Sequence, residues 1–296
     1  MKIVGPEAED ALDWLDLTAA LAEGHRRPEA VLGDTFLYRG DDTLLSRSAW
    51  IDGLGVAVKS ITIYPGSEPP INGSVSLFSD ADGTLEAMVD FHLVTKWKTC
   101  ADSLLAARRL ARPDSTDILI VGAGTLARGL REAYGALFPG AAFHVWNRTP
   151  ERAAELAGAY PNTIHETDLE AAVRAADIVT CGTMSSGPVV KGEWLRPGTH
   201  LDLIGAYRPD MRETDDAGIT AGRLFLDSRR TVIGHIGEVQ MPLHEGVLTE
   251  ADVVADFYEL DRFERQSAEE ITVFKNGGGA HLDLMTARYV LEACEG

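Results

Sequence analysis

The sequence predicts an α/β protein in which a smaller α/β domain precedes a doubly wound parallel sheet. Three observations support this fold class. An apolar run at 118–121 leads directly into a glycine-rich turn and a helix, further strand segments alternate with helical or loop segments, and several short apolar segments lie between residues 34 and 92. Alternating strands and helices are typical of a parallel sheet covered on both faces, whereas clustered short strands indicate antiparallel hairpins.

The composition is that of an ordinary globular protein. Of the 296 residues, 45% are hydrophobic and 25% are charged, and 27 basic against 46 acidic residues give a net charge of −19. Nucleic acids and anionic membranes bind basic surfaces, so neither is an expected partner. Acids near the start, and the lack of an apolar run long enough to span a bilayer, predict a cytoplasmic protein. Three scattered cysteines and histidines without ligand spacing predict no metal site.

The first part of the chain is predicted to combine two helices with five strands. Apolar residues recur at three- and four-residue spacing over residues 7–25, which predicts an opening helix. A second helical pattern runs from Lys98 to Arg112 and ends before Pro113, which cannot continue a helix. Segments rich in branched and aromatic residues predict strands at 34–39, 43–50, 55–64, 73–79 and 84–92.

A βαβ unit with a glycine-rich turn follows Pro113. The strand at 118–121 passes into Gly122-Ala123-Gly124-Thr125-Leu126-Ala127, then into an amphipathic helix and a second strand at 142–146. Gly122 permits the tight turn, Gly124 lets the backbone approach a pyrophosphate, and the small Ala127 lets helix and strand pack closely. The helix N-terminus offers amide donors and a positive dipole to phosphates. This Rossmann-type pattern predicts that residues 122–127 bind a dinucleotide.

The end of the second strand predicts which dinucleotide binds. NAD sites usually place an Asp or Glu here to accept from the ribose 2′-OH, whereas this chain has Asn147, Arg148 and Thr149, which can donate to a 2′-phosphate. NADP(H) is therefore the expected cofactor, with NAD(H) as the alternative. The same residues fit a helix start, with Thr149 as N-cap and Pro150 in the first turn, and both roles can hold together.

Further strands predicted around 177–181, 199–204 and 223–227 continue the parallel sheet. Ligands bind in the crevice at the carboxyl ends of such strands, so we add Gly182, Thr183 and Gly205 to the cofactor-binding residues. A final amphipathic helix is predicted to return to the first domain. The predicted domains are residues 1–112 completed by helix 280–296, and a dinucleotide-binding Rossmann domain at 113–279.

Four segments together resemble the ornithine cyclodeaminase/mu-crystallin family. They are LARPDSTDILIVGAGTLARG, HVWNRTPERA, DLIGAYRPDMRE and ITVFKNGGGAHLDL, and the likeness extends from about Leu44 to Ala293. The resemblance implies an N-terminal domain that binds substrate and forms a homodimer, a Rossmann domain, and a C-terminal helix that crosses back. The family includes cyclodeaminases, ketimine and pyrroline-2-carboxylate reductases, alanine dehydrogenases, opine-type synthases and a hormone-binding crystallin.

The resemblance also implies a set of cations for the substrate. The family's substrate lysine matches Lys59 in VAVKSITIYPG, and Lys98 stands where the family has an arginine that grips the substrate carboxylate. Lysine keeps the charge but loses the bidentate geometry of arginine. An upstream arginine of the family aligns with Asp34, and Arg47 stands where proline is common. Arg47 is either a replacement for the missing charge or an exposed strand residue.

The segment GAYRPDMRE favours one reaction. Cyclodeaminases of this family have an aspartate where this chain has Tyr207, and the segment resembles the GSFTPxMRE pattern of reductases of cyclic imino acids. We therefore expect NADPH-dependent reduction of Δ1-pyrroline-2-carboxylate to L-proline, or of Δ1-piperideine-2-carboxylate to L-pipecolate. The expected catalytic residues are Lys59, Lys98, Tyr207 and Asp283, with Arg47, Lys59 and Lys98 binding substrate. The alternatives are an NAD-dependent ornithine cyclodeaminase and a non-catalytic NADPH-regulated binding protein of the mu-crystallin type.

Overall fold

The computed structural model describes residues 1–295 and divides the chain into two compact units. The first contains Met1–Ala101 and the chain from Gly279 onward, and the second contains Asp102–Gly278. The boundary predicted at residue 112 therefore differs from the structural one, which lies inside a long helix. The residues after Ala101 join the second unit because the Ser103 hydroxyl donates to Asp202 at 3.0 Å and accepts from the Asn276 amide at 3.0 Å.

Both units alternate strands with helices or turns. The strands are β1 Lys2–Val4, β2 Val31–Arg39, β3 Asp42–Ile51, β4 Gly55–Ile63, β5 Ile71–Phe78, β6 Leu85–Asp90, β7 Asp117–Val121, β8 Ala142–Trp146, β9 Thr163–His165, β10 Ile178–Cys181, β11 His200–Leu203, β12 Arg223–Leu226, β13 Val253–Ala255 and β14 Thr272–Lys275. The α-helices are α1 Trp14–Gly24, α2 Phe91–Leu110, α3 Ala127–Leu137, α4 Pro150–Ala159, α5 Leu169–Ala175, α6 Asp216–Ile219, α7 Arg229–Val232, α8 Gly237–His244 and α9 Ala280–Ala293.

The first unit is a six-stranded sheet covered by helices. Its strand order is β1-β6-β5-β4-β3-β2, with β1 parallel to β6 and the other neighbours antiparallel. The C-terminal helix α9 lies against β3, β4, β5 and β6 and also against α1. This arrangement brings residues from the end of the chain onto strands formed near its beginning.

Two helices of the first unit start at different positions from those predicted. The helix expected over 7–25 is a 3-10 turn at Pro6–Ala11 followed by α1, because Asp13 caps α1 by accepting from the amides of Leu15 and Asp16. Helix α2 begins at Phe91 rather than Lys98. The Asp90 carboxylate, at the end of β6, accepts from the amide of Leu93 in the first turn of α2, so the predicted strand at 84–92 ends two residues earlier.

The second unit is an eight-stranded parallel sheet of the Rossmann type, which confirms the predicted α/β fold class. Its order is β13-β12-β14-β11-β10-β7-β8-β9. The chain builds outward from β7 to β8 and β9, and then returns to place β10 on the other side of β7. The strand order reverses there, and a crevice opens at the carboxyl ends of β7 and β10, which is where such sheets bind ligands.

The core of the second unit is made by strands that are buried on both faces. Strands β10, β11 and β14 have every residue buried. Branched apolar residues on these strands pack against the flanking helices, as a parallel sheet requires. Within residues 1–295 no helix is both long enough and apolar enough to cross a membrane.

The buried histidines make folding sensitive to acid. Burial and the nearby charge of Arg265 together lower the pKa of His200 on β11 to about 3, and burial lowers the pKa of His25 to about 4. Both rings are therefore neutral in the folded protein, whereas in the unfolded chain they take up protons near pH 6.5. The unfolded state then binds more protons below that pH, so stability falls as the pH falls.

We expect His200→Gln to reduce this acid sensitivity. Between pH 7 and pH 5 the wild-type protein should lose about 2 kcal/mol of unfolding free energy through His200 alone, and the variant should not show that loss. Urea unfolding at both pH values measures the difference. His25→Gln should show a similar reduction, and His92→Gln, at an exposed residue, serves as the control. Equal pH dependence in the wild type and both buried variants would contradict the assignment.

Candidate active site

The glycine-rich turn after β7 has the geometry of a phosphate cradle. Gly122 has a φ of +107°, and a Cβ atom at this position would lie 2.9 Å from the carbonyl oxygen of Gly182. Above Gly124 there is open space, because a Cβ there would meet no atom within 4 Å. Helix α3 starts at Ala127, and its N-cap residue is Leu126, whose side chain cannot accept a hydrogen bond. The loop therefore fits the pyrophosphate of a dinucleotide.

The loops after β10 and β11 pack backbone against backbone. A Cβ atom at Gly205 would overlap the carbonyl group of Thr183, so only glycine fits there. Gly182 continues the parallel ladder, since its amide donates to the carbonyl of Val121 at 2.9 Å. The predicted cofactor-binding residues Gly182, Thr183 and Gly205 are thus brought to one edge of the sheet beside Gly122.

A buried carboxylate that sequence reasoning missed holds these loops together. Glu213 accepts from the amide of Thr183 at 2.6 Å, from the Thr183 hydroxyl at 2.8 Å and from the amide of Gly205 at 2.5 Å. Burial raises the pKa of Glu213, while Lys275 and these donors oppose the rise. The available signal was an acidic residue at the end of the GAYRPDMRE segment, whose partners are up to 30 residues away.

A second buried carboxylate supports Glu213. Glu238 on α8 accepts from the amides of Glu213 at 2.6 Å and Thr214 at 3.1 Å. Burial raises the pKa of Glu238 to about 7, and the charge of Lys275 partly offsets that rise. The buried ammonium of Lys275 donates to the carbonyl of Leu203 at 3.0 Å. These three groups fix the crevice edge without exposing a charge to solvent.

The three residues that follow β8 differ in their surroundings. The Asn147 side chain accepts from the amide of Ala123 at 3.0 Å and donates to the carbonyl of Thr149 at 2.8 Å. Asn147 therefore ties the glycine-rich turn to the strand end and has one amide hydrogen engaged. Arg148 and Thr149 are exposed.

The candidate catalytic lysine in the first unit is paired with an aspartate. Lys59 on β4 donates to Asp283 on α9 at 2.9 Å and to Thr95 on α2 at 3.0 Å, and its ammonium lies 4.9 Å from the centroid of the Phe91 ring. Both charged side chains are buried, with 6% and 3% exposed. A buried ammonium needs such a partner because desolvation alone would favour its neutral form.

The two pKa shifts follow from this pairing. Burial lowers the pKa of Lys59, the charges of Lys98 and Arg47 lower it further, and Asp283 opposes them. Burial alone would raise the pKa of Asp283, but the charges of Lys59, Lys98 and Arg47 hold it below its ordinary value. The pair therefore keeps an ionised aspartate beside an ammonium that releases its proton more easily than a free lysine.

Arg47 and Lys98 place additional positive charge next to Lys59. Arg47 on β3 lies directly opposite Lys59 on β4 and opposite Asp34 on β2, and it forms an ion pair with Asp34 at 3.1 Å. Lys98 on α2 has no ion-pair partner among residues 1–295. The set of Arg47, Lys59, Lys98, Asp34 and Asp283 thus carries three positive and two negative charges, and one anion would balance it.

Tyr207 belongs to the second unit and follows the carboxyl end of β11. Its side chain is exposed, and the Arg208 guanidinium lies 5.7 Å from the centroid of its ring. In the part of the chain that the structure describes, no group of three or more His, Cys, Asp or Glu side chains is placed to hold a metal ion.

Comparisons with known proteins point to one family. Residues 57–296 match the model of the ornithine cyclodeaminase/mu-crystallin family. A Delta(1)-pyrroline-2-carboxylate reductase of Paracoccus denitrificans is 48% identical over 302 residues, covering 98% of this chain and 96% of the relative.

Solved structures with the same fold cover nearly the whole chain. The Thermococcus litoralis Delta(1)-pyrroline-2-carboxylate reductase in complex with NADH and L-proline has a TM-score of 0.90 at 24% identity, covering 100% of this chain and 98% of that chain. An archaeal alanine dehydrogenase dimer with bound NAD has a TM-score of 0.89 at 26% identity, with coverage of 99% and 95%.

Replacing Glu213 by glutamine should weaken dinucleotide binding. Glutamine keeps the shape, but its NH2 group would face an N–H donor at Thr183 or Gly205, and the loops would separate. We expect the Kd for the reduced dinucleotide to rise about tenfold, equivalent to about 1.4 kcal/mol. Fluorescence titration measures the Kd. Asp210→Asn, an exposed acid in the same segment, is the matched control, and equal Kd values for Glu213→Gln and the wild type would contradict this role.

Proposed function

Because the chain belongs to the ornithine cyclodeaminase/mu-crystallin family, we propose that it uses NADPH to reduce Δ1-pyrroline-2-carboxylate to L-proline. The family resemblance found in the sequence is confirmed, and the chain is an NAD(P)H-dependent oxidoreductase. Δ1-Piperideine-2-carboxylate, with a ring one carbon larger, is the second expected substrate. The observation that carries the proposal is the cluster around Lys59, which has one more positive than negative charge.

The charge balance supports a monocarboxylate substrate. A substrate carboxylate beside Lys98 and Lys59 would neutralise the excess positive charge of the cluster. Charge-assisted hydrogen bonds of this kind are stronger than those between neutral groups. Arg47 is already paired with Asp34, so we assign it a supporting charge near the carboxylate rather than the principal contact. The first unit is therefore the proposed substrate-binding domain.

The proposed chemistry needs one hydride and one proton. When bound, a reduced nicotinamide would supply the hydride for C2 of the ring, and the chain must supply a proton to the imine nitrogen. Lys59 is suited to this because burial lowers its pKa and it lies 2.9 Å from Asp283. General acids work best when their pKa approaches the working pH. Asp283 remains ionised, orients the Lys59 ammonium and stabilises its charge. Tyr207, in the second unit, is the proposed hydroxyl donor.

NADPH is the proposed cofactor because of the residues that follow β8. No acidic residue stands at positions 147–149 to accept from a ribose 2′-OH, and exposed Arg148 and Thr149 can donate to a 2′-phosphate. The archaeal alanine dehydrogenase of similar structure binds NAD. NADH is accordingly the comparison cofactor in every assay.

A homodimer is the proposed assembly. The edge strand β2 is exposed along almost its whole length and presents Phe36, Leu37 and Tyr38, which are 49%, 61% and 73% exposed. An exposed apolar edge strand is a template for pairing with another chain. The archaeal alanine dehydrogenase of similar structure is a dimer, which also supports this proposal.

The activity is tested by following NADPH oxidation at 340 nm with pyrroline-2-carboxylate and piperideine-2-carboxylate, and by identifying L-proline and L-pipecolate as products. Lys59→Met should lower kcat/KM at least ~100-fold, because the proton donor and one carboxylate contact are lost together. Lys2→Met, at an exposed lysine, should retain full activity. Retained dinucleotide binding and a far-UV circular dichroism spectrum equal to that of the wild type would show that both units of Lys59→Met are folded. If the wild type reduces neither of the two imines, the proposed reaction is excluded.

The dimer is tested with the double variant Leu37→Lys/Tyr38→Lys. Light scattering should give twice the 32.0 kDa chain mass for the wild type and a smaller mass for the variant. Two added charges on an apolar edge oppose its burial. Ile164→Lys, which alters an exposed residue on the outer strand β9 of the other sheet, should remain dimeric. A dimeric double variant would show that β2 is not the contact.

A further inference from the structure

A cavity of about 260 Å³ lies beside the glycine-rich turn. It is lined by Ala123, Gly124, Thr125, Arg128, Arg152, Glu155 and Leu156. We propose that Arg152 and Arg128 in this cavity bind the 2′-phosphate together with Arg148 and Thr149. We further propose that Glu155 competes with the phosphate for Arg128. This inference rests on the proposed use of NADPH and names the residues that determine the preference.

The two arginines converge because two helices start on the same side of the sheet. Arg128 is in the first turn of α3, which follows β7, and Arg152 is in the first turn of α4, which follows β8. A basic side chain in the first turn of a helix opposes the positive end of the helix dipole. Two such residues in one cavity therefore favour an anion between them.

Of the two arginine side chains in the cavity, one forms an ion pair with a described residue and the other does not. Arg128 forms an ion pair with Glu155 at 2.9 Å, and these side chains are 48% and 74% exposed. The Arg152 side chain has no hydrogen-bond or ion-pair partner among residues 1–295. With two arginines and one glutamate, the cavity carries a net positive charge. Exposed ion pairs contribute little stability, so a doubly charged phosphate can replace Glu155 at Arg128.

The position of the cavity suits the adenosine ribose rather than the pyrophosphate. In this fold the ribose lies between the glycine-rich turn and the end of the second strand. The cavity is bounded by that turn on one side and by α4 on the other, and α4 begins directly after Thr149. Glu155 can also accept from a ribose 2′-OH, which would give NADH a contact in the same cavity.

The experiment measures binding of 2′,5′-ADP and 5′-AMP to the full-length protein by calorimetry. These probes differ by the 2′-phosphate and contain neither a nicotinamide nor an imine. The wild type should bind 2′,5′-ADP more tightly. Arg152→Gln should weaken 2′,5′-ADP about tenfold or more and change 5′-AMP less than about twofold, as expected for loss of one charge-assisted contact.

Two further variants complete the test. Glu155→Gln should strengthen binding of 2′,5′-ADP, because Arg128 is released. Arg174→Gln, at a surface arginine paired with Glu170 on α5, should bind both probes as the wild type does. Equal loss of both probes in Arg152→Gln, unchanged binding of 2′,5′-ADP, or weaker binding in Glu155→Gln would overturn the inference. None of these results depends on imine turnover, so the reductase activity stands or falls separately.

Discussion

The buried ion pair between Lys59 and Asp283 is the constraint on which the first unit depends. The two residues are 224 positions apart in the sequence, yet their charged atoms lie 2.9 Å apart in a site nearly closed to water. Removing one partner of such a pair leaves an uncompensated buried charge, which typically costs 3–5 kcal/mol. Helix α9 must therefore return to the sheet that carries Lys59, and the Rossmann unit is inserted between the two parts.

In the second unit, the comparable constraint is the close contact between backbone groups at the edge of the crevice. Its crevice edge is formed where Gly122 approaches the carbonyl group of Gly182, and Gly205 that of Thr183, more closely than a residue with a Cβ atom could. Close backbone approach brings N–H groups together without partners of their own, and the Glu213 carboxylate accepts from two of them and from a hydroxyl. Burying a carboxylate costs free energy unless it is hydrogen-bonded. The Glu213 carboxylate is buried at the place where these donors need an acceptor.

The sequence predicts well those features that depend on neighbours along the chain. The glycine-rich turn and the strands of the parallel sheet have local patterns, whereas Lys59 and Asp283, 224 positions apart, are named as site residues only through the family resemblance. Features that depend on distant partners were missed. Glu213 is recognisable only once the loops at Thr183 and Gly205 meet, and the bond from the Ala123 amide to the Asn147 side chain also joins residues that are distant in the sequence. The predicted strand at 84–92 is two residues too long and the predicted helix starts seven residues too late, because the Asp90 carboxylate, at the end of β6, accepts from the amide of Leu93 and so starts α2 at Phe91.

The distribution of charge explains how an acidic protein can bind anions. The net charge of −19 would repel a carboxylate or a phosphate at long range, but solvent ions screen exposed charges over about 8 Å at physiological ionic strength. Buried groups are screened much less. The cluster around Lys59 and the cavity at Arg152 each contain one more cation than they have carboxylates, so each is locally positive despite the surface. Anions are therefore expected to bind where cationic side chains outnumber the carboxylates around them.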